Sequence, residues 1–311
     1  MCELLAMSAN VPTDIVFSFS GLIRRGGQTG PHSDGFGICF YEHNGVREFK
    51  DYLASAESKI AQFLTTYPIK SKVVISHIRQ ANVGQVSLQN THPFQRELWG
   101  KPWTYAHNGQ MPIEQIPNPT QFTPIGQTDS EKLFCWLLST FKTQSHPDAT
   151  LNEVCSLMLS VCAQANQLGV SNILLSDGQY LFVFCSNKLS WITRRSPFGE
   201  AKLCDDDIKV DFSSVTTEND IVTVIATTPL TNNEHWQEMK PGELRVFKEG
   251  SEKPFLILLG VHLKSQLDKE GIDFGGRLRR AAEFKQLVET YNVLNKRYHQ
   301  KVPILLLGDF N

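Results

Sequence analysis

The chain has 311 residues, 41% of them hydrophobic and 20% charged, with a formal net charge of −2. This is the composition of a globular protein with a substantial core. Basic and acidic residues are interspersed, which leaves neither the positive footprint of a nucleic-acid binder nor a polybasic membrane anchor. The longest apolar run, FLILLGV at 255–261, falls well short of the roughly 20 residues that span a bilayer. Seven cysteines (Cys2, Cys39, Cys135, Cys155, Cys162, Cys185, Cys204) form no C-x-x-C pair and sit mostly in apolar stretches. Buried thiols in a reducing compartment are therefore expected, rather than disulfides or a zinc site. The opening MCELLAMSANVPTD lacks a basic segment followed by a long apolar one, so no signal peptide is read and a cytoplasmic location is expected.

In chain order, the first informative residue is Cys2. Removal of Met1, which a small second residue permits, leaves the thiol on the residue that bears the free α-amine. The amine has an ordinary pKa of about 7.7–8.0 and the thiol about 8.5, so a proton passes between them near neutrality at little cost. Residues 35–50 read as a hairpin whose apolar runs meet at Asn44-Gly45, a type I′ turn signal. Short strands at 72–79 and 103–106 end in polar residues. Asp129-Ser130-Glu131 then opens a helix with Leu133, Phe134, Leu137 and Leu138 on one side, acidic at its start as the helix dipole favours. A second helix is predicted over 151–168 from Val154, Leu157, Met158, Val161 and Cys162 at helical spacing. A hairpin over 172–185 turns at Asp177-Gly178, and strands follow near 190–194, 221–227 and 243–248. Many hairpins and few β-α-β alternations predict an antiparallel α+β domain.

At 248–254, KEGSEKP breaks the apolar pattern. Beyond it come a strand, a charged loop, a helix and a last strand. The helix carries Ala281, Phe284, Leu287/Val288, Tyr291, Leu294 and Tyr298 on one stripe, and strand, helix and strand together suggest an incomplete βαβ-like unit. The chain is thus divided into residues 2–250 and 251–311.

Four polar motifs accompany Cys2: RRGGQTGPHSDGFG at 24–37, SHIRQAN at 76–82, NTHPF at 90–94 with YAHNG at 105–109, and QTDSEK at 127–132. The glycine-rich loop lacks the spacing of a phosphate cradle, and each motif alone has an ordinary structural explanation. Together and in this order they resemble the class II glutamine amidotransferases, the cysteine branch of the N-terminal nucleophile hydrolases. The likeness covers roughly residues 2–250 and is nearest to stand-alone bacterial members. It implies the four-layer αββα sandwich of that superfamily. It also implies that the Cys2 thiolate attacks the side-chain amide of L-glutamine, releasing ammonia through a glutamyl thioester, with the α-amine as general base and acid.

Physical chemistry gives each remaining residue an expected role. An oxyanion on a tetrahedral intermediate needs aimed donors, which Asn108 offers from its side chain and Gly109 from a backbone N–H that no Cβ screens. Free glutamine carries a carboxylate and an ammonium, for which Arg79 is the bidentate partner and Asp129 the counter-ion. Chain-fused synthetases of the family carry a tryptophan and a Thr-His-Gly run after the arginine. Here Gln80-Ala81-Asn82-Val83-Gly84 stands, as in the stand-alone type, and Asn82 becomes a candidate substrate contact. His92 and His107 lie inside motifs but are read as architectural, because the amine already supplies the base. Arg25 and the 26–34 loop resemble the segment that closes over bound glutamine. No metal and no cofactor are expected.

The final residues resemble instead a short part of the endonuclease/exonuclease/phosphatase superfamily, with Asp309 and Asn311 in a G-D-F-N strand end. The metal-holding glutamate and the histidine motif of that superfamily are absent, and two carboxylate or amide groups alone make a poor Mg²⁺ site. A truncated fusion or incomplete chain is expected there, not a nuclease. Three further readings compete with glutamine hydrolysis: a hydrolase of γ-glutamyl amides or peptides with the same nucleophile, a non-catalytic glutamine sensor, and the metal-dependent nuclease. No synthetase domain follows the first 250 residues, so an ammonia-accepting subunit is a possible partner.

Overall fold

Residues 3–13 alternate in a way that serves two cores at once. Leu5, Met7 and Ala9 enter one apolar cluster, Leu4 and Ala6 a second on the opposite side, as a strand's period of two requires. This strand, β1 (Glu3–Thr13), is the hub of the computed structural model, which describes residues 2–82, 84–214, 216–253, 257–262, 277–298 and 302–309. The chain separates into two compact units, Met1–Lys253 and Pro254–Asn311.

In the first unit β1 is followed by α1 (Val16–Arg24), β2 (Phe36–Glu42), β3 (Gly45–Asp51), α2 (Lys59–Thr66), β4 (Ser71–Ile78), β5 (Phe94–Leu98), β6 (Lys101–Gln110), α3 (Asp129–Gln144) and α4 (Leu151–Leu168). Then come β7 (Val170–Ser176), β8 (Leu181–Cys185), β9 (Ser190–Arg195), β10 (Glu200–Lys202), β11 (Lys209–Asp211), β12 (Ile221–Ala226), β13 (Gln237–Glu238), β14 (Glu243–Lys248) and β15 (Ser251–Glu252). Two large sheets form among the described residues, one in the order β13-β9-β12-β1-β4-β2-β3 and one in the order β15-β14-β8-β7-β6-β5, with antiparallel pairing throughout.

The layers follow from what each face buries. One cluster joins Phe19 and Leu22 of α1, and Ala61 and Leu64 of α2, to the outer face of the first sheet. Another joins Ile75 and Ile225 of that sheet to Leu174, Val183 and Phe247 of the second. On the far side, the rings of Phe134 and Phe141 in α3 meet Tyr105 (4.9 Å) and Trp103 (5.6 Å) of β6. The unit is an α+β, four-layer αββα sandwich. Helix starts are locally encoded: Thr128 accepts the Glu131 N–H at the head of α3, and Thr150 and Glu153 form a reciprocal capping box on α4.

Three sequence expectations are corrected. The first hairpin turns at His43-Asn44, one residue earlier than predicted, with Glu42 facing Gly45 and only His43 of the pair at positive φ (56°). That register sets Ile38 opposite Phe49, and the packing of these side chains overrides the local Asn-Gly preference. The strand predicted over 103–106 runs on to Gln110, so Asn108 and Gly109 are ladder residues. In the second unit, β16 (Ile257–His262) pairs in parallel with β17 (Ile304–Asp309), joined through α5 (Arg277–Arg297). Of the stripe read on α5, Leu287 is buried but Phe284, Val288 and Tyr291 are exposed. Two strands offer too little surface to cover six turns of helix. Asp309 closes β17, and Asn311 lies outside the described residues. No helix among the described residues is long and apolar enough to cross a membrane.

Candidate active site

Register alone brings the first two candidates together. β1 pairs antiparallel with β4 so that Glu3 faces Ile78, which makes Cys2 and Arg79 neighbours across the ladder. Gly109 arrives from the end of β6 and Asp129 from the first turn of α3. These ends meet in a cleft whose lining includes Cys2, Arg79, Asn82, Gly109 and Asp129. The cavity measures about 30 Å³, room for roughly two waters. Entry of an amino acid therefore requires the cleft to widen. A hydrogen bond from the Asn82 amide to Gln110 Oε1 (3.3 Å), both exposed, ties its two sides. Larger cavities of about 420 and 400 Å³ lie among hairpin turns at the opposite strand ends, and no cysteine lines them.

The Cys2 thiol sits against the backbone of Gln80, which donates its N–H to Sγ at 3.3 Å and whose carbonyl lies 3.5 Å from Sγ. Sequence reasoning passed over Gln80 because its contribution is backbone, which no side-chain motif records. Burial pushes the thiol's pKa up from 9.0. The Gln80 N–H, the terminal ammonium and Arg79 pull it back, and Asp129 opposes them. The thiol is thus protonated at neutrality and needs a base to act.

Both charged candidates are held in place. Arg79 donates from Nη1 to the Gln85 carbonyl (3.0 Å) and from Nη2 to that of Gly84 (3.3 Å), while its backbone N–H bonds Gly35 (2.8 Å). Asp129, 5% exposed, accepts the Met111 N–H on Oδ2 at 2.8 Å. That bond aims a buried carboxylate at the cleft, where a cation would offset the cost of its burial.

Asn108 stands apart from its neighbour. It is fully buried, with Nδ2 3.3 Å from Thr227 Oγ1. Gly109 is there because of its lack of a side chain: a Cβ would lie 1.8 Å from the Val170 carbonyl oxygen and 2.7 Å from His107 Nε2. Gly109→Ala is expected to force β7 away and cost about 2–3 kcal/mol, lowering the thermal midpoint by roughly 4–12 °C. A calorimetric midpoint equal to wild type would refute the close approach.

Arg25 does not line the cleft. Its guanidinium is buried, bonded to Glu3 Oε2 (3.0 Å), Asp205 Oδ2 (2.7 Å) and the carbonyls of Thr228 and Pro229. It anchors the residue next to Cys2 from partners far away in sequence. The 26–34 loop ends on Asp34, which accepts the Ala81 N–H at 2.7 Å.

Three imidazoles are grouped at the site, and two of them, His92 and His107, line the cleft. The His77 ring lies tilted against that of His92, with centroids 4.1 Å apart, and His77 Nε2 lies 3.1 Å from the His107 carbonyl. His107 Nδ1 meets Ser130 Oγ at 2.8 Å, next to Asp129. Burial drives all three pKa values down, that of His77 to about 3 and that of His92 well below the usual range. They are neutral across the physiological range.

The family described as "Glutamine amidotransferases class-II" matches residues 1–266. YafJ of Escherichia coli K12, a candidate glutamine amidotransferase by name, is 58% identical over 249 residues, spanning 79% of this chain and 97% of that protein. The crystal structure of a predicted glutamine amidotransferase from Pseudomonas aeruginosa PA01 superposes with a TM-score of 0.65 at 49% identity, covering 81% of this chain and 99% of that one. Glutamine phosphoribosylpyrophosphate amidotransferase from B. subtilis shares the fold (TM-score 0.52, 16% identity), with 81% of this chain matched to 48% of that chain. The sandwich is that of the N-terminal nucleophile hydrolases, and the chain belongs to the class-II glutamine amidotransferases.

Proposed function

We propose that the protein hydrolyses the side-chain amide of L-glutamine with Cys2 as its N-terminal nucleophile. After loss of Met1, the α-amine of Cys2 takes the thiol proton, and the thiolate adds to the amide carbon. The oxyanion accepts the Gly109 N–H and the Asn108 side-chain N–H. Collapse breaks the C–N bond, the α-ammonium returns its proton to the leaving group, and ammonia departs from a glutamyl thioester. Water, deprotonated by the same amine, cleaves the thioester to glutamate. Arg79 grips the substrate carboxylate, Asp129 its ammonium, and Asn82 contacts the substrate from the rim.

The carrying observation is that Cys2, Arg79, Gly109 and Asp129 converge on one cleft at the ends of four separate elements, β1, β4, β6 and α3. Stoichiometric labelling of residue 2 by a glutamine-derived electrophile, read by mass spectrometry, tests the reading. Labelling at another cysteine, or none, refutes it. Comparing ammonia release from glutamine with cleavage of γ-glutamyl amides decides between the amidotransferase and the γ-glutamyl hydrolase that the same grip would serve.

Arg79→Lys exchanges a planar fork for a point charge. It is expected to raise KM for glutamine about 10- to 100-fold with a smaller change in kcat. An unaltered KM in steady-state kinetics would remove Arg79 from the binding site. A separate synthetase subunit would accept the ammonia. Residues 2–250 form the amidotransferase domain, and 251–311 a separate segment that resembles part of the endonuclease/exonuclease/phosphatase superfamily. The unpaired cysteines, five of them buried, suit the cytoplasm.

A further inference from the structure

Thr227 follows directly on β12 and is 4% exposed. Its N–H donates to the Leu4 carbonyl at 3.1 Å, and its hydroxyl oxygen accepts the Leu4 N–H at 2.9 Å. Both backbone groups of the residue two places after the nucleophile therefore end on Thr227. The same hydroxyl lies 3.3 Å from the Asn108 side-chain nitrogen, a pair separated by 119 residues. One side chain touches both the strand that carries the thiol and the amide assigned to the oxyanion.

The hydrogen bonds around it leave two groups unmatched. A hydroxyl has one proton to give besides its lone pairs. Thr227 Oγ1 receives two N–H groups, and its own proton meets no acceptor among the described residues. Asn108 Oδ1 is buried without a hydrogen-bond partner among the described residues. The oxygen and nitrogen of a side-chain amide exchange places on a half-turn, and the hydrogen-bond network decides between the two. With the amide turned, Oδ1 accepts the Thr227 proton and the amide nitrogen moves to the unpartnered position. Both mismatches disappear together. What remains is a buried N–H donor with no protein acceptor, which is what a developing oxyanion would use.

We propose that Thr227 is a positioning residue for the hydrolysis. Its hydroxyl accepts from Leu4 and donates to Asn108 Oδ1, fixing the nucleophile strand and the oxyanion amide relative to each other and turning the amide N–H toward the reacting carbonyl. This rests on the roles assigned above to Cys2 and Asn108.

The test is ammonia release from glutamine by wild type, Thr227→Ser, Thr227→Val, Asn108→Ala and the Thr227→Val/Asn108→Ala double variant. Thr227→Ser keeps the hydroxyl and is expected within about threefold of wild-type kcat. Thr227→Val keeps the shape but loses the donor, and kcat is expected to fall about 10- to 100-fold with KM within about twofold. In the Asn108→Ala background the same valine is expected to change kcat less than about twofold, because the residue acts through Asn108. An equal loss in both backgrounds marks a merely structural role and overturns the proposal, as does a Thr227→Val enzyme of unaltered kcat or a Thr227→Ser enzyme as slow as the valine variant. If the valine protein does not fold, Thr227→Ala takes its place in the same cycle. Failure of the underlying reading looks different: wild type would release no ammonia, or Cys2→Ala would match wild type, and either outcome overturns both.

Discussion

One residue inserted ahead of Cys2 is expected to lower glutamine hydrolysis about 10³-fold or more while leaving the fold unchanged. The insertion turns the α-amine into an amide, which cannot accept a proton near neutrality. Among the described residues lining the cleft, the thiol's own pKa is raised by burial, His107 is a buried imidazole engaged by Ser130, and burial holds the His92 imidazole well below its usual range. A lysine placed between Met1 and Cys2 blocks methionine removal, and intact mass confirms that it has. Ammonia production at saturating glutamine, measured beside circular dichroism, decides the matter. Full turnover by the extended chain would end the N-terminal mechanism. Cys2→Ser is expected to bind glutamine with similar affinity and to turn over slowly, since an alkoxide is far harder to form than a thiolate.

Acid is expected to unfold this protein early, beginning as the pH drops below about 6.5. His77, His92 and His107 are buried with pKa values below the usual imidazole value of 6.5, His77 at about 3. In the unfolded chain each takes up a proton near pH 6.5, whereas the folded chain resists. Between that pH and the folded values the unfolded state binds more protons, so stability falls as pH falls. An imidazole that stays neutral in the fold through this window contributes roughly 1.4 kcal/mol per pH unit. Against a typical total of about 5–15 kcal/mol, that loss is a large fraction of the domain's stability. Urea midpoints between pH 7 and 4.5 measure the slope. His92 is the informative substitution, because neither of its ring nitrogens has a hydrogen-bond partner among the described residues. His92→Leu removes the titration without orphaning another group and is expected to reduce the slope by about 1.4 kcal/mol per pH unit. An unchanged slope would mean that His92 is not held neutral in the fold.

Much of this protein is written in short stretches of its sequence. The helix over 151–168 follows from the spacing of Val154, Met158 and Cys162 and from the Thr150/Glu153 box at its head. The 172–185 hairpin turns at Asp177, whose carboxylate accepts the N–H groups of Gln179 and Tyr180. The motifs holding Cys2, Arg79, Gly109 and Asp129 could be picked out because each is a residue type whose chemistry is recognisable by itself. What the sequence could not convey is how residues distant along the chain meet. β1, the strand that presents the nucleophile, shows almost no polar alternation because both of its faces are buried between sheet and helices. Arg25 reads with the 26–34 loop as part of a segment closing over glutamine until Glu3 and Asp205 close around it. Asn108 lies beyond the strand read over 103–106 until β6 runs on, pairs with β7 and buries it. Turns and caps are settled by neighbours a few bonds away, whereas sheet register and the packing of one sheet on another are settled by contacts between residues a hundred or more apart, whose energies no local pattern records.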